Sequence, residues 1–177
     1  MNTCKTSMGA RLLRREMLRP LADRAGIEAR LDSIDTLMQG FLESDVRTAL
    51  AHVGDMDRIL TRVALRSARP RDLTRLRQSL DCVPVLKDLL GSQTDPYLQS
   101  LVDELGDFAA TTELLYRAVI ENPPVVIREG GVIAPGFNED LDELRGLSSK
   151  AGDYLVQLET QEREKTGLST LKVAYNR

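Results

Sequence analysis

Apolar residues along this chain recur mainly at steps of three and four, the spacing that lines one face of an α-helix. The longest such run covers 138–166, with Phe137, Leu141, Leu144, Leu147, Ala151, Tyr154, Leu155 and Leu158 as its stripe. Asn138 suits its N-cap and Gly167 its stop. Its remaining surface carries eight acids and four bases. At about 1.5 Å per residue such a helix spans roughly 40 Å. The pattern predicts a connecting rod around which the rest of the chain is organised.

Shorter amphipathic runs precede it. Thr6 or Ser7 caps a first helix whose apolar positions are Met8, Leu12, Leu13, Met17 and Leu18, and Pro20 ends it. Ile27, Leu31, Ile34, Leu37 and Met38 predict a second, closed by Gly40. A third lies near 44–52, capped by Ser44 or Asp45, and Asp55 caps a fourth through Met56, Ile59, Leu60, Val63 and Leu65. Pro70 suits the first position of a fifth helix, with Leu73, Leu76, Leu80, Val83, Leu86, Leu89 and Leu90 inward. Pro84, inside this stripe, is expected to kink or divide it. Asp95-Pro96 starts a sixth, and 107–120 supplies one more.

The period changes after Pro123-Pro124. Val125-Val126-Ile127 and Val132-Ile133-Ala134 flank Gly130-Gly131, which predicts a small β-hairpin over 125–134. Residues 171–176 alternate like a strand, and a lone strand cannot stand by itself. This points to a second module cut short at the end of the chain. The expected class is all-α, mainly helical: a multi-helix core, the hairpin, the long helix near 138–166 and the C-terminal strand.

Composition narrows the function. The chain has 177 residues, 42% hydrophobic and 29% charged, with 24 basic against 27 acidic side chains and a net charge of −3. That balance predicts no nucleic-acid affinity by itself. No stretch is apolar enough to span a membrane and the N-terminus has no signal-type segment, so a cytoplasmic location is expected. Cys4 and Cys82 form no metal-type cluster and are expected as reduced thiols. With His52 as the lone histidine and aromatics at 4%, metal chemistry, imidazole catalysis and base stacking all lack side chains.

The bases are unevenly spread. Seven arginines (58, 62, 66, 69, 71, 75 and 77) face one acid, Asp72, across 58–77. Such a cluster can contact phosphates. Four of these residues also follow helical steps, as a solvated face would, so both readings stand beside each other. His52 reads as a structural or surface residue at a helix end, and Gly130-Gly131 as a turn instead of a phosphate cradle, because no Gly-Lys-Ser/Thr follows. The carboxylates of 139–164 share one exposed helix without a partner base, which leaves acid–base catalysis unsupported.

Several motifs resemble a known family. They are Thr6-Ser7-Met8-Gly9-Ala10-Arg11-Leu12-Leu13, Asp57-Arg58-Ile59-Leu60-Thr61-Arg62 running into Ala68-Arg69-Pro70-Arg71-Asp72-Leu73, Glu129-Gly130-Gly131-Val132-Ile133-Ala134-Pro135-Gly136-Phe137-Asn138, and Thr166-Gly167-Leu168-Ser169-Thr170-Leu171-Lys172-Val173. Together with Pro123-Pro124 they resemble the MutS family of bacterial DNA mismatch-repair proteins over essentially the whole chain. The resemblance implies a helical core and lever over 1–160 and the start of a DNA clamp over 161–177. It implies a parent that dimerises, binds double-stranded DNA and mismatches, uses ATP with Mg, and recruits MutL. The resemblance begins at the core, so the family's N-terminal mismatch-reading module with its Phe-x-Glu is expected to be missing, and there is no Gly-x-x-x-x-Gly-Lys-Ser/Thr loop, so no catalytic or nucleotide-binding residue carries over. A non-enzymatic fragment without cofactor is expected. Lys172, the one base of the clamp's first strand, is the candidate DNA-backbone contact, with Arg69 and Arg71 from the arginine cluster. Without the resemblance, the alternatives are a helical DNA-backbone binder or a protein-interaction scaffold unrelated to repair.

Overall fold

A computed structural model describes residues 2–168 and 170–172, with the backbone alone at Ser149 and Ala151. The described residues form eight α-helices: α1 (Ser7–Leu18), α2 (Arg24–Gln39), α3 (Glu43–Ala51), α4 (Met56–Ala64), α5 (Pro70–Gly91), α6 (Pro96–Glu104), α7 (Ala109–Ala118) and α8 (Glu139–Thr166). One 3₁₀ turn, Ile127–Glu129, lies between α7 and α8. The expected all-α class is what the chain adopts. Its contacts divide into two compact units, one ending at Ile133 and the other beginning at Ala134.

In the first unit the local signals act as chemistry dictates. The Thr6 Oγ1 accepts from the Gly9 amide at 2.9 Å, the Asp55 carboxylate from the Arg58 amide at 3.4 Å, and Asp95 from the Leu98 amide at 2.7 Å. Each satisfies one of the orphan donors at a helix start. Pro70 and Pro96 open their helices, where a missing donor costs nothing. The third helix departs from expectation. It starts at Glu43 and has Leu42 in the cap position, with no side-chain cap bond from Ser44 or Asp45.

α5 is the hub of this unit. It packs against α3, α4, α6 and α7, and α2 packs on α6. The core gathers Ile59 from α4 with Leu76 and Leu80 from α5, and Met56 and Leu115 pack against them. Full burial of such side chains stabilises by about 1.5–3 kcal/mol each. Pro84 does not divide α5, which runs unbroken for 22 residues. Buried Leu80, Cys82 and Leu86 anchor the helix on either side, while Pro84 itself is exposed.

Close approach also fixes the α3–α4 joint. The buried Gly54 amide donates to the Ser79 Oγ at 2.8 Å, and a Cβ there would lie 2.7 Å from the Arg75 Cγ. Elsewhere in this unit, buried Ser33 donates to the Asp95 carboxylate at 2.7 Å, tying α2 to the cap of α6.

The expected hairpin over 125–134 is absent. Val125 and Val126 are about half exposed and run into the 3₁₀ turn, while Ile133 pairs with Val119 in an isolated antiparallel bridge. The Ile120 amide donates to the Val132 carbonyl at 3.1 Å. Val119 and Val132 are buried, so burial selected the distant partner over the adjacent one. Gly130 and Gly131 do turn the chain at positive φ, 72° and 67°.

The second unit is α8 with its flanks. The Asn138 Oδ1 accepts from the Leu141 amide at 2.8 Å, and Gly167 closes the helix at φ 68°. Acids fill the first turn and Arg163 and Lys165 the last, which complements the helix dipole. Arg163 donates to the Leu171 carbonyl at 2.7 Å, and the Leu171 amide turns back to Leu168. Most of the strand expected at 171–176 falls outside the described residues.

Candidate nucleic-acid interface

Within 58–77 Asp72 is the lone acid beside seven arginines, and folding supplies other partners. Arg11 from α1 reaches across to Asp55 with two bonds of 2.7 Å and to Asp57 at 2.8 Å. Arg58 approaches the same Asp55 at 3.4 Å. The Asp55 carboxyl is held far below the usual carboxylate range, chiefly by the Arg11 guanidinium. Arg62 grips Asp72 through two bonds of 2.8 and 2.6 Å, and the Arg69 amide donates to the same carboxylate at 2.9 Å. The Arg62 contact is the main reason the Asp72 carboxyl also titrates low. Asp72 is thus at once the first-turn acid of α5 and the link to α4.

Arg77 leaves the surface altogether. It is 5% exposed, its Nη1 donates to the Val119 carbonyl at 3.0 Å, and its guanidinium carbon lies 4.4 Å from the centre of the Tyr116 ring. Arg71 sends its Nε to the Pro123 carbonyl at 3.4 Å. Arg75 bonds Gln78 at 3.3 Å and lines a cleft of about 770 Å³ between α3 and α5, together with His52 and Cys82. Burial pushes the Cys82 thiol up, so it is a poor nucleophile there. His52 is the C-cap residue of α3, and among the described residues no group of three His, Cys, Asp or Glu side chains converges.

What remains of the basic cluster is smaller than the sequence implies. Among the described ion pairs none involves Arg66, Arg69, Arg71 or Arg75. All four are exposed, spread from the end of α4 to the second turn of α5. Within the 58–77 cluster these are the side chains whose charge is open to a phosphate; Arg14, Arg15 and Arg19 of α1 are likewise exposed and outside the described ion pairs. Arg69 and Arg71 are therefore neighbours at the start of α5. Lys172 is exposed too, but belongs to the second unit, beyond α8.

The inward role of Arg77 was legible in one respect. Residue 77 follows Leu73 by four and precedes Leu80 by three, so it lies on the apolar stripe of α5. Its partner, the Val119 carbonyl, has no sequence signature. No helix among the described residues is long and apolar enough to cross a membrane. Compared with family models, residues 1–173 match MutS domain III.

Proposed function

The chain belongs to the MutS family, and from that premise we propose that it is the structural core and lever of a mismatch-repair protein, joining a DNA clamp to an ATPase module carried elsewhere in the parent. The observation that carries the reading is α8. Its 28 residues span roughly 42 Å. A side-chain cap at one end and a left-handed glycine at the other bound it, and ion pairs Arg145–Asp142, Arg163–Glu159 and Lys165–Glu162 lie along it. A helix transmits a displacement only when it is a stiff two-ended element.

In this reading the chain is not itself an enzyme and holds no cofactor, while ATP, Mg, MutL and self-dimerisation belong to the parent. Lys172 meets the DNA backbone at the clamp, and Arg69 and Arg71 are further phosphate contacts. The isolated chain is expected to show no ATP turnover and equal affinity for matched and mismatched duplexes in a gel shift. Turnover or mismatch discrimination would refute the proposal. In the parent, Gly152→Pro at an exposed position of α8 is expected to leave ATP hydrolysis intact and to abolish its response to DNA.

A second reading, direct duplex binding through 66–75, is favoured by those four arginines, which lie outside the described ion pairs. It requires affinity that falls steeply as salt rises, since released counterions set the slope. Weak binding without a salt slope removes it.

A further inference from the structure

Arg77 is a buried cation with no ion-pair partner among the described residues, and its Nε has no hydrogen-bond partner there. Desolvating a guanidinium in this way is unfavourable unless other groups offset it. Two do. The Val119 carbonyl accepts its Nη1 and the Tyr116 ring covers its face. Tyr116 is itself fixed, because its hydroxyl donates to the Asp81 carboxylate at 2.6 Å. Arg77 and Asp81 are one turn apart on α5, and Tyr116 and Val119 are one turn apart where α7 ends. The four make a closed square between the hub helix and the end of α7.

This square sits at the start of a segment with few other attachments. From Val119 the chain runs to Ile133 and closes on itself through the Val119–Ile133 bridge and the Ile120-to-Val132 bond. Pro123 is buried and accepts from Arg71 over a long 3.4 Å. Between these points Val125, Val126 and Ile127 are 46%, 47% and 74% exposed. A segment bound at its ends and solvated in its middle has the low local stability of a separately opening unit.

We propose that Arg77, Asp81, Tyr116 and Val119 form a latch holding 119–133 against α5, and that this strap, its Ile120-to-Val132 bond included, opens independently of the helical core when the latch is broken. The strap ends where the chain passes from Ile133 to Ala134 and on to α8. The use of the latch, fixing the root of a lever, rests on the function proposed above. The latch itself does not, and its test reads neither ATP nor DNA, so either proposal can fail alone.

The test is amide hydrogen exchange on the full chain, comparing Ile120 with Leu80 in the hub helix. In the unaltered protein Ile120 is expected to exchange at least about tenfold faster than Leu80. Arg77→Met removes the charge-assisted bond and is expected to speed Ile120 exchange by about 10- to 100-fold, well beyond any change at Leu80. Tyr116→Phe keeps the ring and loses only the Asp81 bond, with an expected gain at Ile120 of about three- to tenfold. Arg77→Lys retains the charge without the flat guanidinium and should restore protection only in part. Should Ile120 and Leu80 accelerate in parallel in both variants, the strap is no separate unit. If neither variant moves Ile120, the square is no latch.

Discussion

Two helices in the first unit end in the same motif with an unfavourable residue at its turning point. After α4 the Ser67 amide donates to the Arg62 carbonyl at 2.8 Å and the Arg66 amide to Val63 at 3.0 Å. After α2 the Leu42 amide donates to Leu37 at 3.0 Å and the Phe41 amide to Met38 at 3.2 Å. This is the paired-bond helix stop that ordinarily uses glycine in the left-handed region. Here Arg66 and Phe41 occupy it, both at φ 54°. For a residue with a Cβ that conformation costs about 1–2 kcal/mol. Glycine avoids the cost but loses about 0.5–1 kcal/mol through its freer unfolded chain. The expected net gain is about 0.5–1 kcal/mol for Arg66→Gly and for Phe41→Gly. Phe41 is 87% exposed, so deleting its ring sacrifices little buried area. The two motifs share no hydrogen-bond partner, and their gains should add. Urea and thermal unfolding measure this, and each gain corresponds to about 1–4 °C in midpoint. Arg66→Ala and Phe41→Ala are the controls, since alanine removes the side chain and keeps the Cβ. If the glycine variants are no more stable than the alanine variants, the conformational argument is wrong.

Two further outcomes follow from the same unit. Asp55 and Asp72 titrate lower when folded than when unfolded, because Arg11 and Arg62 hold their charged forms. The unfolded chain therefore binds protons first on acidification: their contribution is complete above the unfolded value of about 3.9 and disappears as pH falls through the folded values. The urea midpoint should drop below about pH 4, and less so in Asp55→Asn, whereas an identical drop in that variant would count against the Arg11 pair. Pro84→Ala supplies a donor for the Leu80 carbonyl in an already continuous helix and should stabilise by about 1–3 kcal/mol, read as a raised thermal midpoint; a lowered midpoint would mean the ring itself packs.

Elements set by near neighbours were readable in the sequence. Thr6, Asp55, Asp95 and Asn138 cap the helices their spacing assigns to them, and Gly167 takes the left-handed stop. Apart from the cap of α3, the departures concern groups whose partners are far along the chain. Val132 and Ile133 carry strand propensity, but nothing local says that they pair with Ile120 and Val119 in place of Val125 and Val126. The arginine cluster looked like one charged face because Asp55 was counted outside it and because Arg77 was counted as a surface charge. The weight of the fold was also misplaced. The 138–166 helix stands out by length and charge, whereas α5 organises the first unit through eight buried residues. Burial of that kind depends on four neighbours at once and leaves only a broad apolar stripe as its trace.

The hub position of α5 also limits how the segment can change length. Deleting one residue from a helix turns everything after it by about 100° and shifts it by about 1.5 Å. In α5 a deletion between Leu76 and Leu80 would bring Asp81 and Lys87 to the places now held by Leu80 and Leu86, facing several neighbouring helices at once. The stretch 124–131, which meets solvent along most of its length, carries no such constraint. Insertions and deletions among sequences of this kind should therefore collect in the strap and spare α5, whose residue count is fixed by four surfaces that must stay in phase.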